Sequence, residues 1–160
     1  MLRTSERKKG FTLVEMLTAM AIVAVLAMVA IPLAKVTVKR GREIELRRNL
    51  RIIRQAIDEY KKMADEKKFE FDEDTEGYPP DLETLLEGVE VTESKDGSEV
   101  TRTVKFLRRL PRDPMTTFYE WGLRSYQDDF DSTSWGGENV YDVYTRSQGI
   151  ALDGTFYSEW

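Results

Sequence analysis

Residues 11–34, FTLVEMLTAMAIVAVLAMVAIPLA, are apolar apart from Thr12, Glu15 and Thr18. Wound into a helix rising about 1.5 Å per residue, they are long enough to cross the ~30 Å hydrocarbon core of a bilayer. A chain with such a segment is inserted in a membrane at some stage. The preceding decapeptide MLRTSERKKG carries Arg3, Arg7, Lys8 and Lys9 against Glu6. The positive-inside rule therefore leaves it in the cytoplasm and sends everything from about residue 40 onward to the other side. An ordinary secretory signal has a short apolar core followed by a small-residue cleavage site, whereas this run is long and no A-x-A pattern follows it. Removal of the whole segment is not expected.

Glu15 is the residue that needs a reason. A carboxylate at the centre of a bilayer costs roughly 2.5–3.5 kcal/mol on insertion scales. Near the end of a span it can reach toward the interface, and a plain single-pass anchor remains one reading. Cleavage between Gly10 and Phe11 offers another. The new α-amine is cationic and lies one helical turn from Glu15 on nearly the same face. If the amine belongs to a neighbouring copy, the pair is satisfied only on assembly, in surroundings where an unpaired charge is expensive. Glu15 would then set the axial offset between subunits.

The stretch KKGFTLVEMLTAMAIVAVLAMVAIP resembles the class III signal and first helix of type IV pilins and type II secretion pseudopilins. The resemblance implies a prepilin peptidase that cuts after Gly10 and methylates the amine of Phe11, and a Glu15 that pairs with a neighbour's N-terminus. It implies an inner-membrane precursor with its C-terminal domain in the periplasm, and further partners: an inner-membrane assembly platform, minor pseudopilins and a homopolymer of the chain itself. The leader's net +3, taken from the whole-chain −5, would leave a mature chain of about −8.

Composition removes other classes. The chain of 160 residues has room for one modest domain and has neither cysteine nor histidine, which excludes thiolate zinc sites, disulfides, thiol nucleophiles and the commonest general base. Outside the leader the basic residues form no dense patch, so nucleic acid is not an expected partner. No G-x-S-x-G, S-x-x-K or phosphate-cradling glycine loop is present, and no enzymatic activity is expected.

Pro32 sits within the apolar segment, where it deletes one backbone hydrogen bond and crowds the preceding turn. A kink or locally opened helix is expected there, and the resemblance implies local melting on filament packing. Beyond Gly41, Leu46, Leu50, Ile53, Ile57, Tyr60 and Ala64 recur at spacings of four and three, one amphipathic face suited to packing on a sheet of the same chain rather than a coiled coil. Helix running from Phe11 to about Glu66 would be roughly 80 Å long. FEFDEDTEGYPPD ends it, and Asp81 is placed to cap a short helix LETLLEG with Gly88 as its stop. VEVTESKDGSEVTRTVKF alternates valine with polar residues around Asp96-Gly97, the mark of a β-hairpin. Pro111 and Pro114 bracket a turn, and Tyr119, Trp121 and Tyr126 suit strands. NVYDVYT, residues 139–145, reads as the strand that closes the sheet, with Val140, Asp142 and Tyr144 on one face and Tyr141 and Val143 on the other.

The fold class is therefore α+β: a long N-terminal transmembrane and amphipathic helix packed on a small antiparallel β-sheet, as in pilins. The segments are a leader (1–10), a membrane and filament-core helix (11–34), the amphipathic second half of the helix (35–68) and a periplasmic globular domain (69–160).

Asp128, Asp129, Asp131, Asp142, Asp153 and Glu159 lie in loops rich in Ser, Gly and Asn, oxygen donors that calcium accepts, without EF-hand spacing. YPPDLETLLEG, FLRRLPRDPMT and VYDVYTRSQGIALDG, with the final tryptophan, are similar in order and type to the major pseudopilin of type II secretion. That likeness implies calcium held in the C-terminal loop by Asp153, with Asp142 and Glu159 as further ligands and carbonyls near Ser147 and Leu152. The expected function is a structural subunit of a periplasmic pseudopilus that drives protein export by type II secretion. The alternative is a type IV pilin of a surface filament used for adhesion, motility or DNA uptake, although many such pilins staple a loop with a disulfide that this chain cannot form. A membrane-anchored binding domain is the reading outside that class, and it would not need Phe11 exposed by cleavage.

Overall fold

A computed structural model describes residues 10–95 and 98–160, and the side chains of all of these except 93–95, 98 and 99. The basic leader residues Arg3, Arg7, Lys8 and Lys9 and the turn expected at Asp96-Gly97 lie outside the described residues. The chain divides into two compact units, Met1–Lys39 and Arg40–Trp160. Helix α1, Leu13–Asp65, begins in the first and ends in the second.

In the first unit the threonines bond to the helix's own backbone. Thr12 Oγ1 accepts from the Glu15 amide at 3.2 Å, an N-cap interaction that satisfies one of the orphan donors of the first turn. Thr18 Oγ1 donates to the carbonyls of Val14 and Glu15, 3.0 Å each, and Thr37 Oγ1 to that of Leu33, also 3.0 Å. The Thr18 and Thr37 hydroxyls are thus satisfied within the helix, without a partner from water. The helix is unbroken at Pro32, contrary to the opened turn expected there. Proline removes only the N–H that would reach the Met28 carbonyl, and intact ladder on either side carries the helix through one missing bond.

In the second unit the expected apolar face of α1 is buried. Leu46, Leu50, Ile53, Ile57, Tyr60 and Ala64, with Ala56 beside them, form its inner stripe. All of these but Ala64 pack with Leu82, Leu85, Leu107, Trp121, Val140, Val143, Ala151 and Tyr157 in one core. Each fully buried aliphatic side chain contributes about 1.5–3 kcal/mol. Helix α2, Leu82–Glu87, starts where Asp81 accepts from the Thr84 amide and hydroxyl, 2.7 Å each. It stops at Gly88, whose φ of 86° and approach to the Val104 carbonyl leave no room for a Cβ, which would sit 2.3 Å from that oxygen.

Strands β1, Val89–Lys95, and β2, Ser98–Val104, form the expected antiparallel hairpin, with Val89 opposite Val104 and Lys95 opposite Ser98. The α+β class is as expected, but the single sheet is not found. Strands β3, Gly122–Arg124, and β4, Asp142–Tyr144, make a separate two-stranded sheet. β4 is also shorter than the strand expected over 139–145, and its alternation is lost. Val140, Val143, Tyr144 and Thr145 are all buried while Tyr141 is exposed. The chain there enters the core as irregular backbone, with Asn139 Oδ1 accepting from the Tyr126 amide and the Val140 amide donating to Pro79 O. Trp121 is buried next to β3, but Tyr119 and Tyr126 lie outside the strands on the surface.

Candidate functional site

The N-terminal segment is a bare apolar rod. Phe11 is 79% exposed, and the side chains that follow are likewise uncovered from Leu13 to Leu33. One face forms an open groove lined by Phe11, Met16, Met20 and Val23 among others, with Glu15 as the one charged group in its lining. Glu15 makes no ion pair among the described residues. The segment is long and apolar enough to cross a membrane, which fits a single-pass anchor. Either lipid or other copies of the same helix can cover it, and Glu15 is the only group that tells the two apart.

The three carboxylates expected to hold calcium are not brought together. Among the described residues, no group of three or more acidic side chains is placed to hold a metal ion. Asp142 lies against Arg54, whose Nε and Nη2 reach its two oxygens at 2.6 and 3.2 Å, with Arg124 at 3.6 Å. A carboxylate between two guanidiniums does not fit a calcium shell, because its charge is already spent. Asp153 accepts from the Thr155 hydroxyl at 2.7 Å and amide at 3.0 Å, and from Arg47 at 3.2 Å. Those Thr155 bonds, aided by Arg47, hold its carboxyl below the usual 3.8. Glu159 is exposed, in a short 3-10 turn Tyr157–Glu159.

The C-terminal segment is instead fastened by charged side chains of α1. Glu43 Oε1 accepts from the Leu152 amide and the Tyr157 hydroxyl, 2.9 Å each. Arg47 lies 4.0 Å over the Trp160 ring, and Arg54 donates to the carbonyls of Val143 and Trp160 at 3.1 and 2.7 Å. Burial first, then the bond to Glu43, pushes the Tyr157 phenol up from 10.0 to about 12. None of these contacts is visible in the sequence. A second group that reading missed is Asp113, fully buried, which accepts from the Met115 amide at 2.8 Å, Thr116 Oγ1 at 3.1 Å and the buried Thr145 hydroxyl. Its position between Pro111 and Pro114 signalled a turn, but nothing local signalled its burial.

Residues 6–31 match the family described as the prokaryotic N-terminal methylation motif, a span that includes Gly10, Phe11 and Glu15. The match supports a type IV pilin-like subunit that is processed as a prepilin. Families bearing this motif are structural rather than enzymatic. No curated protein and no solved structure matches the chain.

Proposed function

We propose that the chain is the structural subunit of a helical filament built from its own N-terminal helices, and that this filament is a periplasmic pseudopilus serving type II secretion. The observation that carries the reading is one carboxylate, Glu15, in an uncovered apolar face within the methylation motif. Prepilin peptidase cuts after Gly10 and methylates the amine of Phe11. The cationic amine of one subunit then meets Glu15 of the next, and the apolar faces of residues 11–34 close over the pair. In that dry setting an unmatched charge costs several kcal/mol, so only the register that forms the pair is populated. Pro32 lacks one backbone bond to begin with, and so is the place where the helix yields during packing. The inner-membrane platform and minor pseudopilins start the polymer. The lack of cysteine supports the pseudopilus over a disulfide-stapled surface pilin.

Three experiments test this. Mass spectrometry of the membrane form should give an N-terminus at N-methylated Phe11, whereas an intact leader would overturn the processing step. Deletion of the chain should then remove specific exported proteins and spare surface filaments. The reverse pattern would make it a type IV pilin. Reversal at the register group, Glu15→Lys, should leave the second unit folded and abolish filaments.

A further inference from the structure

A second polar surface lies in the unit Arg40–Trp160. One face of α1 and the segment after β2 enclose an open groove with Ile44, Ile52 and Leu110 in its apolar lining and Arg48, Arg108, Arg109 and Arg112 in its walls. Glu45 is the single acid among the lining residues. The four guanidinium groups are exposed. Arg112 donates to the Thr117 carbonyl. The side chains of Arg48, Arg108 and Arg109 have no hydrogen bond or ion pair to any described residue. Three unspent arginines around an apolar floor, on a chain whose net charge is −5, form a site for an acidic partner that also carries apolar groups.

The same unit holds the complement. Residues 70–76 contain Glu70, Asp72, Glu73, Asp74 and Glu76, all exposed, with Phe71 half-exposed among them. Of the four lysines just before them, Lys61 is paired with Asp65 and Lys68 with Glu66, leaving Lys62 and Lys67. Gln127 Nε2 reaches Glu76 at 3.4 Å. The acidic segment lies against the end of α1, since the Cβ of Ala64 is 3.3 Å from a side-chain position at Gly77. The arginine groove lies against the other end of the same unit's helix, around Arg48. The sixteen residues from Arg48 to Ala64 separate the two by about 24 Å along the axis.

We infer that the arginine groove receives the acidic 70–76 segment of a second copy of this chain. This rests on the filament reading, since a groove and its ligand at opposite ends of one unit meet when parallel copies stack with an axial slip. The slip required within the second unit is about 24 Å along the axis of α1. Glu15 registers the N-terminal helix and the arginine groove registers the second unit, so the two contacts are separate and are broken by separate substitutions. Charge-assisted arginine–carboxylate pairs set the geometry of the second contact, and Phe71 reaches the apolar floor.

The chain has no native cysteine, so engineered ones report without background. Two differently tagged full-length copies are coexpressed, one with Arg109→Cys and one with Asp74→Cys, both at exposed positions. Oxidation should give a mixed dimer. A second pair, Met16→Cys with Met20→Cys, reads the contact in register with Glu15. Adding Arg48→Glu and Arg108→Glu to the first copy should lower the mixed dimer at least tenfold, and Glu73→Arg with Asp72→Arg in the other copy should restore it. If the Met16–Met20 dimer forms and the Arg109–Asp74 dimer does not, the groove contact is overturned and anionic lipid headgroups become its ligand. If neither forms, the filament reading fails and the contact falls with it.

Discussion

Replacing Asp113 by alanine tests whether the arginine-bearing segment is held from inside. The carboxylate is fully buried and accepts from an amide and two hydroxyls, one of them the equally buried Thr145. Hydrogen bonds to a charged group contribute about 1.5–3 kcal/mol each, and a buried donor left unpaired costs about 1–3 kcal/mol. The three bonds share one group and do not add, and Thr116 is near enough to the surface to turn to water. Loss of the Met115 and Thr145 contacts thus puts the cost of Asp113→Ala at about 3–5 kcal/mol. For a unit of this size each kcal/mol moves the midpoint by roughly 3–5 °C, so the melting temperature should fall by about 10–20 °C. Circular dichroism of full-length protein in detergent at 222 nm reports the transition. Asp113→Asn keeps an acceptor for the Met115 amide and should cost about half as much. A fall under about 3 °C for alanine, or an asparagine variant as unstable as alanine, would refute the account of Asp113 as an internal staple.

Arg54→Ala removes donors to Asp142, Val143 O and Trp160 O at once and should cost about 1–2 kcal/mol, a modest figure because the group is partly solvated. Arg54→Lys should recover less than half of the lost stability, since an ammonium cannot fork between the oxygens. Tyr157 is held neutral up to about 12, so its contribution is complete below pH 10 and is lost between pH 10 and about 12, where the unfolded chain gains by ionising first. Tyr60 and Tyr78, also raised mainly by burial, add to the same loss. Tyr157→Phe should flatten the stability profile across that window in an alkaline titration, and an unchanged slope would contradict the raised phenol. If Asp153 and neighbouring carbonyls hold calcium, millimolar calcium should raise the wild-type melting temperature by several degrees, with Asp142 left on its arginines; an unchanged melting temperature would remove the site.

What could be read from the sequence was what local chemistry decides. The inner stripe of α1 follows from spacing alone, because a helical period fixes which side chains share a face. Asp81 and Gly88 were recognisable because capping acts within one turn, and the hairpin because alternation over seven residues a side is hard to satisfy otherwise. The second sheet was not legible. β3 is three residues long, and Val140 and Val143 are buried together by an irregular path that alternation cannot describe. For Asp142, sequence shows the carboxylate but not the arginine opposite it. Arg54 and Asp142 are 88 residues apart, and no local pattern links them. At the candidate site the reverse holds. Glu15 stands out in sequence because its neighbours are almost all apolar, and in the proposed filament its partner lies on another molecule.

The charges on α1 divide by the angle at which they leave the helix. Glu43, Arg47 and Arg54 turn toward the C-terminal segment and are spent on Tyr157, Asp153 and Asp142. Arg48, one residue and about 100° from Arg47, turns into the groove and is left without a partner among the described residues. Adjacent arginines of one sequence thus have different destinations, the first inside the subunit and the second, on the contact we infer, between subunits. The stability of the fold then depends little on the groove, whose charges remain available for assembly. An acidic chain that must pack against copies of itself needs such a reserve. Spread evenly, its surplus of carboxylates would make every neighbour repulsive, whereas arginines gathered at one end of the unit and acids at the other make one axial offset attractive.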